Sequence, residues 1–262
     1  MIFGGEFIAG IDLVDVCLWL FTTFFIALVF YLQREARREG YPVEDDVTGK
    51  IESTDPLFFP GERTFKLMHG KEDVTFAMGP RDTRELALKQ TSKIPGSPFV
   101  PTGNPMADGV GPSSYAERAE YPDLTLDGQS RIAPLRVCEG HYYVHPGQQS
   151  PIGMSVYCCD GKKGGEVVDL WVDRSEAIFR YMEIETGTEE ASNRVIVPIA
   201  FTNKKGGQHP KVLIPSVTAE LLAQAPKPAH PDVMTRREED QISGYYGGGW
   251  LYATPDRIEP LL

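Results

Sequence analysis

Positive charge is in short supply in this sequence: 26 Lys and Arg stand against 37 Asp and Glu, a formal net charge of -11 over 262 residues. Nucleic-acid binding needs basic surface to displace counterions from phosphate, so the balance excludes nucleic acid as a partner. Cysteine is scarce as well. Cys17, Cys138, Cys158 and Cys159 form no C-x-x-C pair, which argues against zinc ribbons and thioredoxin-type redox sites and leaves reduced, structural thiols. Catalytic signatures are missing: there is no G-x-S-x-G elbow, no H-E-x-x-H and no paired nucleophile and base. The runs Gly161–Gly165 and Gly247–Gly249 lack the spacing of a phosphate loop and read as turns. No catalytic centre is expected in this chain.

Charge is also absent from one long stretch. Val16 to Leu32 carries none, and eleven of its residues are Val, Leu, Ile or Phe. Together these are worth about -3 to -7 kcal/mol on an insertion scale, against about 3 kcal/mol for a central Asp15, which lies near the end. The reading is a transmembrane helix over 13–32, roughly 30 Å long and matched to a bilayer's hydrocarbon core. A cleaved secretory signal would want a basic start and a small-residue cleavage site, and neither is seen. Arg34, Arg37 and Arg38 follow the span, so the positive-inside bias places residues 1–12 outside the cytoplasm, a periplasmic N-terminus in a bacterial inner membrane, and the larger C-terminal part in the cytoplasm. Trp19 and Tyr31 stand where aromatic side chains anchor at interfaces. Thr22 and Thr23 offer hydroxyls to the helices of another protein.

Residues 33–134 read as an extended, proline-rich cytoplasmic segment, since 40–134 alone holds eleven of the 21 prolines. Leu57, Phe58, Phe59, Phe65, Leu67, Phe99 and Val100 favour its ordering against a partner surface. Residues 135–262 form a mostly β domain. Strands are predicted over 153–158, 166–173, 177–185, 194–199 and 211–214, enough for a small antiparallel barrel. Ser216 is expected to cap a helix over 217–225, with Leu221 and Leu222 facing the barrel, and a second helix over 236–242 is expected to stop at Gly244.

His141 and His145 with Cys138 invite a metal reading, but the local sequence is β-like and would hold the rings about 13 Å apart. No metal site is expected. On the strand through 177–185, alternation puts Glu176, Ile178, Arg180, Met182 and Ile184 on one largely apolar face. Asp169 and Asp173 flank Trp171, and Asp127 lies in a Gly-containing loop. These acids are either solvated surface groups or members of a water-linked proton relay, and composition leaves both open.

Several motifs resemble the H subunit of the photosynthetic reaction centre of purple bacteria. Arg38-Glu-Gly-Tyr-Pro42 is similar to its membrane–cytoplasm junction, and Pro101-Thr-Gly-Asn-Pro-Met-Ala-Asp-Gly-Val-Gly-Pro112 to its most distinctive loop. Pro151-Ile-Gly-Met154 and Val167-Val-Asp-Leu-Trp-Val-Asp173 resemble the first strands of the β-barrel named after the complex. Glu238-Glu-Asp-Gln-Ile-Ser-Gly-Tyr245, Gly248-Gly249 and Tyr252-Ala253 resemble the C-terminal signature.

The resemblance implies a non-catalytic subunit of the inner, photosynthetic membrane. It would cap the pigment-binding L and M subunits, stabilise the complex, shield the quinones and help protons reach the secondary quinone. Bacteriochlorophyll, bacteriopheophytin, quinones and non-haem iron would sit in the partners, with a surrounding antenna and a cytochrome subunit as further neighbours. Glu176, Asp173 and Arg180 match proton-path positions. Where some relatives carry surface histidines for proton entry, this chain departs with Asp127 and Gln129, and the resemblance leaves Asp127 as a carboxylate entry with the other surface acids as a proton-collecting antenna. Arg34, Arg37, Arg38 and Tyr41 fall at lipid headgroups. The alternative is a single-pass scaffold or sensor whose barrel binds some other protein.

Overall fold

A computed structural model describes residues 6–8, 11–45, 48–53, 55–76, 84–138, 140–187 and 193–258. The chain divides into two compact units, residues 1–83 with 92–97, and residues 84–91 with 98–262.

The first unit opens with a short antiparallel pair, β1 (Glu6–Ile8) and β2 (Ile11–Asp12), and continues into helix α1 (Leu13–Ala36). The helix starts where the span was expected to start. It runs four residues further, because Gln33, Arg34, Glu35 and Ala36 are all good helix formers. None of its described residues is buried within this chain, and Leu18, Trp19, Leu20, Phe21, Phe24 and Ile26 are exposed. A helix apolar all round and uncovered needs a lipid or partner-helix surround. Beyond it the only regular structure described in this unit is a hairpin of β3 (Arg63–Phe65) and β4 (Val74–Phe76).

The second unit contains the hairpin β5 (Leu88–Gln90) and β6 (Phe99–Pro101), a one-turn helix α2 (Pro105–Asp108), and a sheet joined by two helices. The sheet strands are β7 (Ile132–Pro134), β8 (Ser155–Cys158), β9 (Lys163–Asp173), β10 (Ile178–Thr186), β11 (Asn193–Pro198), β12 (Asn203–Lys205) and β13 (Lys211–Ile214). Their order is β11-β10-β9-β8-β13-β12, with β7 also paired to β9. The pairs are antiparallel except β8 with β13, which run parallel. β7 lies just before residue 135, where the β domain was expected to begin. Val156, Val167, Leu170, Trp171, Ile184 and Val195 are fully buried and form the heart of the core.

Two helices complete it, α3 (Ala219–Ala223) and α4 (Arg236–Tyr252). The cap of α3 is Thr218, not Ser216: its hydroxyl accepts from the Leu221 N–H at 3.2 Å, while Ser216 is buried. Leu222 is buried and Leu221 packs partly against the same core. α4 begins with a capping box between Thr235 and Glu238 but does not end at Gly244. Gly244 and Gly248, four apart on one face, let the helix approach another backbone: a Cβ on Gly244 would stand 2.8 Å from the carbonyl oxygens of Ser113 and Ser114. Gly247–Gly249 is therefore helix, not turn.

Candidate functional site

β9 ends at Asp173, and the chain turns through residues 174–177 into β10. The Asp173 carboxylate stabilises that turn, Oδ1 accepting from the N–H groups of Ser175 at 3.0 Å and Glu176 at 3.2 Å. Ala177 adopts a left-handed φ of 55°, so Glu176 belongs to the turn and not to the strand face predicted for it. A register shift between Phe179 and Tyr181 breaks the alternation again at Arg180. Such a bulge re-aims a side chain. Here Arg180 Nε donates to Asp173 Oδ2 at 3.2 Å, and its terminal nitrogen to Glu176 Oε2 at 2.9 Å.

β7 brings in the partner that sequence reasoning missed. Ile132 pairs with Asp173, which sets Arg131 beside the turn. Arg131 Nε donates to both Asp173 oxygens at 3.1 and 3.0 Å. Its terminal nitrogens reach Glu176 Oε1 at 2.7 Å and Asp123 Oδ2 at 3.4 Å. Asp173 is 1% exposed, so the expectation of a solvated surface acid fails for it. Burial pushes its carboxyl up, but the Arg131 guanidinium and the two backbone N–H groups outweigh that and hold it below the usual carboxylate range. Glu176 is about half exposed at 48% and divided between two guanidinium groups.

Asp127 is exposed in the hairpin closed by the Leu124–Ser130 bridge. That hairpin meets the cluster through Arg131, whose N–H donates to Asp123 O at 2.8 Å, and through Arg174, which donates to Gln129 Oε1 at 2.9 Å.

A second group of buried acids lies further along the same strands, in their interior. Asp169 pairs in register with Glu183, and both are buried, again contrary to the solvated reading of Asp169. Arg136 donates to Asp169 Oδ2 at 3.0 Å and to Asp232 Oδ1 at 2.9 Å, and also pairs with Glu183. Trp171 Nε1 and Arg194 complete the Glu183 carboxylate at 3.0 and 3.3 Å.

At the end of α1, each arginine has a partner in its own chain. Arg34 Nε donates to Phe59 O at 3.1 Å, Arg38 to Glu35 and to Gly61 O, and Arg37 lies over the rings of Tyr41, Phe58 and Phe59. A groove of about 480 Å³ runs down the helix from Arg34 and Arg37, lined by Phe25, Ile26, Val29 and Phe30. His141 and His145 lie in loop, not strand: His145 Nδ1 accepts from the Gly147 N–H, and Cys138 is buried against Pro134 O. Among the described residues, no three His, Cys, Asp or Glu side chains converge as a metal site.

A family model for the photosynthetic reaction centre H-chain N-terminal region matches residues 5–137, about half of the chain. The chain belongs to the reaction centre H-chain family. A second model, the PRC-barrel domain, matches residues 147–218 and covers the strands from β8 to β13. This H chain is thus a membrane-associated subunit of a photosynthetic reaction centre, a family that associates with L and M subunits, and its strand-rich unit carries the barrel domain.

Of the four proton-path residues expected in this H chain, Glu176, Asp173 and Arg180 meet in one cluster, and Asp127 stands apart on the adjoining hairpin. Arg131, Asp123, Arg136 and Glu183 went unnoticed. One signal was available for the arginines, since Arg131 and Arg136 flank the four-residue apolar run over 132–135, in a proline-rich context. For Glu183, alternation with Tyr181 marked an acid on a buried strand that had to find a cation.

Proposed function

We propose that this chain is the non-catalytic cap of the reaction centre's L and M subunits and carries part of the route by which cytoplasmic protons reach the secondary quinone. Its N-terminus faces the periplasm and its strand-rich unit the cytoplasm. Supporting that topology, the basic residues cluster after α1, at Arg34, Arg37 and Arg38. The pigments, quinones and non-haem iron belong to the partner subunits, and this chain supplies none of their principal ligands. It shields the quinone region from bulk water and stabilises the complex, with the antenna and a cytochrome subunit as outer neighbours.

The observation that carries the proton role is the Asp173–Glu176 pair. One carboxylate is buried and the other half exposed, and both are held by the same two arginines. A proton relay needs groups that span from solvent to interior, and this pair does so within one turn of chain. Asp127, exposed on the neighbouring hairpin, takes up protons from the cytoplasm. The groove below Arg34 and Arg37 suits an acyl chain, with the arginines and Tyr41 at the level of an anionic headgroup.

In the assembled complex, Glu176→Gln is expected to slow the second, proton-coupled electron transfer to the secondary quinone and to leave primary charge separation unchanged. Flash spectroscopy with a pH-indicator dye reads both. Unaltered proton uptake in the variant would remove Glu176 from the route.

A further inference from the structure

Resting on the proton-transfer reading above, we propose that Arg131 is the positioning residue of this site. It fixes the buried Asp173 and the half-exposed Glu176 in one geometry, supplies the counter-charge Asp173 needs, and ties the Asp127 hairpin to both.

The contacts are unequal in a way that singles out Arg131. Asp173 receives Arg131 Nε on both oxygens and a terminal nitrogen at 2.9 Å, but only Nε of Arg180, at 3.2 Å. Among the described residues, Arg131 is the guanidinium that reaches Asp123, Asp173 and Glu176 together. Its backbone is pinned on both sides, its N–H to Asp123 O at 2.8 Å and its carbonyl accepting from Arg174 N at 2.8 Å. Arg180, by contrast, sits at a strand irregularity. A planar five-donor fork can satisfy three carboxylates at once, which a lysine ammonium cannot do in the same geometry.

The charges facing Asp173 are Arg131 from the residue before β7, Arg180 from β10 and Glu176 from the turn, with Asp123 beyond Arg131. Without Arg131, one cation would face three carboxylates, of which Asp173 is 1% exposed. Burial would then win, and Asp173 would keep a proton at neutral pH. A carboxyl that binds its proton more tightly releases it inward more slowly.

The test uses the complete complex carrying Arg131→Gln. Difference infrared spectroscopy at neutral pH is expected to show a new protonated-carboxyl C=O band, absent from Arg131→Gln/Asp173→Asn and suppressed in Arg131→Lys. The second electron transfer is expected to slow by about tenfold to a hundredfold, the scale of loss from a misplaced reacting group. A wild-type spectrum at a wild-type rate would overturn the inference and leave the Glu176 route standing. A null result for Glu176→Gln would sink that route, while the infrared band, read without turnover, would still report on Arg131. Should Arg131→Gln fail to assemble, the double variant, freed of the buried carboxyl that has lost its counter-charge, is expected to assemble. Its failure to do so would overturn the inference as well.

Discussion

At the residue scale, Asp173 is a carboxylate that burial alone would push towards its neutral form. Asp173 stays ionised because guanidinium and backbone N–H groups replace the water it lost. Its folded carboxyl lies below the unfolded value of about 3.9, so its stabilising contribution is complete above that pH and fades as the pH falls through the lowered folded value. Asp173→Asn is therefore expected to cost about 2 kcal/mol at pH 7 and progressively less below about pH 4. Urea unfolding of wild type and variant at pH 7 and pH 3 checks this; a gap that widens at low pH contradicts it. The Cys158 thiol behaves in the opposite way. With no cation to offset it, burial pushes Cys158 up to about 12, so it remains a protonated core group at physiological pH.

At the element scale, helix α4 shows why glycines were misread as stops. Each helical glycine costs about 0.5–1 kcal/mol relative to alanine, which argues for ending the helix early. Close packing offsets that cost. A Cβ on Gly249 would stand 2.8 Å from Val217 Cγ1 and closer still to the Ser216 carbonyl oxygen, whereas one on Gly247 meets nothing nearer than Pro112 O at 3.5 Å. Gly247→Ala should thus stabilise the strand-rich unit by up to about 1 kcal/mol, and Gly249→Ala should destabilise it by about 1–3 kcal/mol. Thermal melts of the two variants decide the matter, and a destabilised Gly247→Ala would refute the packing argument. Arg257 locks the same end of the helix, donating to Gly249 O at 2.8 Å, Ser216 O at 3.1 Å and Pro215 O at 2.9 Å.

At the scale of the whole molecule, the chain joins an apolar helix of membrane-spanning length to a strand-rich unit, with the pigments proposed to sit in the partner subunits. Purified alone, it is expected to be colourless; purified from phototrophically grown cells in mild detergent, it should carry near-infrared-absorbing pigment-protein with it. Absorption spectra of the two preparations make the comparison, and a pigment-free preparation from such cells would favour the scaffold reading. The uncovered face of α1 points the same way, because Phe21, Phe24 and Ile26 find no cover within their own chain.

Much of this was legible from local pattern. The start of α1, the positions of β9, β10, β11 and β13, and the onset of α4 at Arg236 depend on hydrophobic runs, alternation and caps, all set within a few residues. The resemblance also singled out Asp173, Glu176 and Arg180. What sequence could not supply was the pairing of charges distant along the chain: Arg131 meets Asp173 across 42 positions, and Arg136 meets Glu183 across 47 and Asp232 across 96. Local alternation can mark an acid as lying on a buried face, as at Glu183, but it does not say which distant cation answers it. Propensity and periodicity act between neighbours, so they wrote the elements into the chain. The fate of each buried charge depended on which cation the assembled sheet brought within about 3 Å.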